Sequence, residues 1–264
     1  MTRTFSLLTA TSLIALGACQ TAPERPSGFL QSYEGLAAPG QSLRASVLQR
    51  RDDDSAARIE RVYIAPSVLI AGAGEGVSEI DRGRVLREVD RQVCYEVSER
   101  FTVIAEPAAD AATVRAAVVR IDATGQAGSL ASATAGFFIP GPIGVRVPGA
   151  TGGLAAEAEL LGPDARQVAA ILWARHATVV GTDSPSLSRV GDALQLAEPF
   201  GDAVGDAFSP PDRTPRAIAQ PDPCAAFGPR FSPAGLIAGF ATGLYVPELE
   251  GAKASQETTE PKLP

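Results

Sequence analysis

The sequence predicts an α+β domain, an antiparallel or mixed sheet of about four to five strands packed by two helices, with long Gly/Pro-rich loops. Three observations carry this expectation. One long segment repeats apolar residues at every fourth position, several short segments carry strand patterns, and 26 Gly with 21 Pro exceed ordinary usage. The 264 residues, 45% hydrophobic and 20% charged, suffice for one domain with appendages.

The elements follow in chain order. Phe29, Leu30, Tyr33 and Leu36 recur at helical spacing and predict a small amphipathic segment over residues 27–36. Residues 50–54, Arg-Arg-Asp-Asp-Asp, read as a solvated charge cluster. Adjacent aspartates cannot all converge on one ion, so a metal site is not assigned there. Residues 59–64 predict a strand with Val62 and Ile64 on one face. The glycine-rich stretch 71–76 lacks the Lys-Ser/Thr of a phosphate-binding loop and reads as a connection into a helix. That helix opens with Ser78-Glu79-Ile80-Asp81, close to a capping box, and buries Val85, Val89, Val93 and Val97. Strands are expected at 101–105 and 113–121, and a hairpin at 157–161 and 167–180 across Gly162-Pro163-Asp164-Ala165. Glu157 and Glu159 share one face of that hairpin, expected to be solvated. A second helix is expected over 186–208, bent at Pro199.

Residues 125–153 hold eight Gly, three Pro and one charge, Arg146. They read as a long, apolar, weakly structured excursion from the sheet. Either it packs back on its own domain, or Phe137, Phe138, Ile139, Ile143 and Val145 contact a partner or a membrane.

Residues 1–18 predict a cleaved export signal, with Arg3 ahead of an apolar run too short to span a bilayer. Leu16-Gly17-Ala18-Cys19 resembles the bacterial lipobox, which makes Cys19 the lipidated residue and the mature N-terminus. The residue after it is Gln20 rather than Asp, which points to the outer membrane and its periplasmic face, in a Gram-negative cell. The expected organisation is a lipid-anchored tether at 19–27, the domain at 28–208, a Pro-rich linker at 209–223, a docking segment at 224–249 and a disordered tail at 250–264.

Taken in order, the lipobox, Ser27-Gly28-Phe29-Leu30 with Tyr33 and Leu36, and Arg61-Val62-Tyr63-Ile64-Ala65-Pro66 resemble bacterial lipoproteins of domain-of-unknown-function family 3313. The likeness spans roughly residues 27–208. It implies an exported lipoprotein and supplies neither activity nor catalytic residues.

With Cys19 acylated, Cys94 and Cys224 remain in an oxidising compartment, where they either bridge or stay as separate buried thiols. A net charge of −7 argues against a nucleic-acid partner. A single His, His176, offers no triad and no His-built metal site, so no catalytic, metal or cofactor residues are assigned and no cofactor is expected. The sequence therefore points to a non-enzymatic envelope lipoprotein that binds another protein or itself. Two alternatives remain: an oligomer whose 125–153 loop contacts or inserts in the membrane, and a periplasmic hydrolase.

Overall fold

The computed structural model describes residues 21–22, 24–40, 44–136, 144–181, 183–230, 232–242, 244–247 and 249. Along the chain, β1 (Ala45–Arg51) leads to α1 (Asp53–Arg58), β2 (Arg61–Ile64), β3 (Val68–Leu69) and α2 (Glu79–Ser98). Then come β4 (Thr102–Ile104), β5 (Ala112–Asp122), α3 (Gln126–Gly136), β6 (Gly144–Val145) and the hairpin of β7 (Gly153–Leu161) and β8 (Gln167–His176). β9 (Val180–Gly181), α4 (Gly191–Phe208) and α5 (Pro233–Thr242) complete the order.

The main sheet runs β1-β8-β7-β5-β2-β4, with β3 also paired to β5, so seven strands stand where four to five were expected. β1, β8, β7 and β5 are antiparallel; β2, β3 and β4 join in parallel. β1 escapes the sequence pattern because it is a half-exposed edge strand ending in two arginines. Of the 50–54 charge cluster the aspartates stay exposed, Asp52 capping α1 by accepting from Ser55 N–H at 3.0 Å, whereas Arg50 is half-buried and donates to the Gln167 side chain.

α2 and α4 cover one face. Ser78 accepts from Asp81 N–H at 3.1 Å, as a capping serine should, and Val85, Val89, Val93 and Val97 are buried. α4 continues through Pro199 as one helix, because burial of Leu194, Phe200, Val204 and Phe208 outweighs the lost backbone bond. It starts later than expected, since Ser186 is held in extended backbone against Tyr245. Trp173 of β8 and Phe200 of α4 meet at 5.6 Å between ring centres, in the middle of this core.

The excursion is more structured than its composition suggested. α3 is built from small residues, so it lies close to its neighbours: a Cβ on Gly128 would sit 2.3 Å from that of Ala150. After α3 the chain returns through β6, where Val145 pairs with Val180 of β9. Phe137, Phe138, Ile139 and Ile143 lie outside the described residues, as do Cys19 and the tail from 250.

Candidate functional site

The face of the sheet opposite the helices is covered by the N-terminal segment, whose apolar residues recur at helical spacing but which forms an extended strap. Its footing is the pair Glu157 and Glu159, both fully buried and not on a solvated face. Glu157 accepts from Ser27 N–H at 2.9 Å, Ser27 Oγ at 2.8 Å and the Tyr33 hydroxyl at 2.7 Å. Glu159 accepts from Gln31 N–H and Gln167 Nε2, each at 2.8 Å, and faces Arg115 at 3.2 Å. Donors on this scale are what buried carboxylates require. The Tyr33 hydroxyl also accepts from Gly28 and Leu30 N–H, closing the segment on itself. Gly28 has φ +89°, a conformation that breaks helical spacing at once.

The strap runs lengthwise. At one end of the sheet Thr21 donates to the Arg44 carbonyl at 2.8 Å and accepts from His176 N–H at 3.1 Å. Glu24 next pairs with Arg120 at 2.7 Å; burial raises its carboxyl, but bonds from Arg120 and Arg25 N–H outweigh this and leave its pKa below the ordinary value. At the other end Gln31 Nε2 donates to the Ala165 carbonyl in the β7–β8 turn. The stretch expected as a free tether is thus docked from Thr21 onward, apart from residue 23, which lies outside the described residues.

At the Thr21 end the excursion is fixed by its one charge. Arg146 forms a two-pronged pair with Asp192 at 2.5 and 3.0 Å, both residues buried. Asp192 also accepts from Thr124 Oγ1 at 3.1 Å and Gly152 N–H at 2.6 Å. Around this pin Leu130, Val147, Val179, Val180 and Leu187 stand exposed, Val180 to 60%.

Cys94 and Cys224 form a disulfide across 130 residues and are both buried. The bridge brings the C-terminal segment onto α2, where Arg230 stacks 4.4 Å over Tyr95, pairs with Asp222 at 2.8 Å and donates to Ser98. Within the Pro-rich 209–223 linker, Arg213 stacks on Phe101 and donates to the Ile59 carbonyl.

Between α2, α4 and this segment lies a cleft of about 550 Å³ carrying both charge signs, among them Glu88, Glu198, Asp202, Arg91, Arg175 and Arg230. Burial pushes the Glu88 carboxyl up against the pull of Arg91 and Gln92, which donate to Oε1. Asp202 is pushed up to about 6 by partial desolvation and by Glu96 and Glu198. His176 is half exposed at the far end of β8, 3.2 Å from Arg120 and 3.6 Å from Asp122. Among the described residues no helix is long and apolar enough to cross a membrane.

Sequence reasoning missed Ser27, Tyr33, Arg146 and Asp192 as structural anchors. One signal was available: a lone arginine in 29 otherwise uncharged residues calls for a buried partner.

The family model for a protein of unknown function, DUF3313, matches residues 25–204. No curated protein matches the chain. Among solved structures, the PelC dodecamer from Paraburkholderia phytofirmans in space group P6 is similar at TM-score 0.38 and 10% identity, over 62% of this chain and 97% of that one. A single-substitution variant of the same dodecamer, in space group C2, gives 0.36 and 10%, over 61% and 97%. Similarity at that level carries no argument about assembly or activity.

Proposed function

The chain belongs to the DUF3313 family, and we propose that it is a lipid-anchored protein of the bacterial outer membrane that acts from the periplasmic face by binding, not by catalysis. The strap carries this reading. Thr21 stands two residues beyond Cys19 and is already bonded to Arg44 and His176, so an acyl anchor on Cys19 would hold the folded body directly. Each buried methylene of such an anchor contributes about 0.8 kcal/mol, and several chains make attachment permanent.

Binding is favoured over catalysis by how the acids of the chain are used. Glu157, Glu159 and Asp192 are all engaged by contacts that hold one chain segment to another. The surface offered to a protein partner, or to a second copy, is the cleft beside α2 and α4, whose lining carries both charge signs for complementary pairing.

Replacement of Cys19 by Ser is expected to move the protein from the membrane fraction to the soluble fraction. Retention in the membrane would remove the anchor. Cross-linking in intact cells, followed by mass determination of the product in mild detergent, should yield a defined complex. A clean monomer would set the binding role aside.

A further inference from the structure

The anchor and the apolar excursion meet at one end of the molecule. Thr21 is bonded to His176, the last residue of β8, and to Arg44, just before β1. Cys19 is two residues upstream in the sequence, a span of chain that reaches at most about 7 Å. Val180 is four residues beyond His176, within about 14 Å along the chain. It pairs with Val145, and Arg146 N–H donates to the Val179 carbonyl at 2.7 Å. Val147 N–H donates in turn to Ser132 of α3, two residues from Leu130. The exposed apolar side chains of the excursion and of the 179–187 stretch beside it therefore sit around the place where the anchor would leave the body.

We propose that this end of the sheet, presenting Leu130, Val147, Val179, Val180 and Leu187, rests in the interface of the lipid bilayer, with the docked strap fixing the orientation. The proposal rests on lipidation at Cys19. Residues 125–153 contain one charge, and Arg146 is buried against Asp192, so the described part of the excursion turns no charged side chain outward. Charged groups are what an interfacial surface must keep out of the acyl boundary. Arg189, exposed two residues after Leu187 in the chain, suits the phosphate level of the headgroups. The opposite end, the 162–166 turn, is polar and lies at the far end of the strap, so it points away from the membrane.

The test uses the full lipidated chain in vesicles of phosphatidylethanolamine and phosphatidylglycerol with brominated acyl chains. Trp173 is buried and gives a common background. Val180→Trp is expected to be quenched at least about twofold more than Arg166→Trp, since interfacial burial reaches roughly 5–10 Å. Both sites are exposed, and unchanged melting of each variant shows that the fold is kept. Equal quenching, or stronger quenching at 166, overturns the orientation while leaving the anchor in place. Failure of the wild-type chain to float with the vesicles overturns the anchor and the orientation together.

Discussion

Glu157 receives three hydrogen bonds from residues 124 to 130 positions away in sequence. Its removal leaves Ser27 and the Tyr33 hydroxyl to find water in a covered site. Glu157→Ala is expected to lower the unfolding free energy by about 2–4 kcal/mol, and Tyr33→Phe by about 1–2 kcal/mol, in urea titrations. Arg146 presents the same problem in sharper form, because Arg146→Met leaves the Asp192 carboxylate buried without its cation. That variant should lose about 3–5 kcal/mol, and adding Asp192→Asn should restore part of it. No recovery in the double variant would mean that the arginine acts by packing. Asp202 carries a pH signature. Its pKa rises from 3.8 to about 6 on folding, so the native state binds the extra proton and stability falls as pH rises from about 4 to about 6. Asp202→Asn should therefore raise the melting temperature above that window. The gain stays well under ~1 kcal/mol, because the residue is exposed and screened. It should vanish near pH 4, and a gain that persists there would assign the effect to something other than this proton.

Elements are legible in the sequence where a local period sets them. The valines of α2 repeat over 13 residues and face a core, and the β7–β8 turn has its own chemistry, so both are readable without any tertiary knowledge. The strap is not, because its apolar spacing imitates a helix while its real partners are two glutamates far along the chain. The glutamates mislead for the same reason: alternation shows that they share a face, but only the covering segment decides whether that face is wet. α3 is hidden by small residues that give no amphipathic stripe. The disulfide belongs at this scale too, since it joins one helix to the C-terminal segment. Replacing Cys94 and Cys224 together with Ala should cost up to about 4–5 kcal/mol in the chain-entropy view of a 130-residue loop. Limited proteolysis should then cut within 209–230 faster than in the parent. Unchanged cutting would show that Arg213 and Arg230 hold the segment without the bridge.

At the scale of the whole molecule, the strap makes the segment from Thr21 part of the fold. The family match begins at residue 25, inside the strap. A chain that starts at residue 38 would expose Glu157 and Glu159 to water, which suits them, but would also uncover Ala155, Ala170, Leu172 and Ala174 on the same face. The loss of cover and of the hydrogen bonds from Ser27, Gln31 and Tyr33 should outweigh the entropy returned to the freed residues. A melting temperature lower by roughly 10 °C is expected, at about 2–4 °C per kcal/mol for a domain of this size. A chain starting at residue 28 keeps Gln31 and Tyr33 and loses Thr21, Glu24 and Ser27, so it should fall between the two. If the chain starting at 28 melts like the full one, the Ser27 and Glu24 contacts contribute nothing and the Thr21 end of the strap is free to peel from the sheet. If it falls between, a pull on the N-terminal end of the strap is resisted by the sheet itself, and a body held through the proposed anchor would not swing away from a bilayer without breaking its own core contacts.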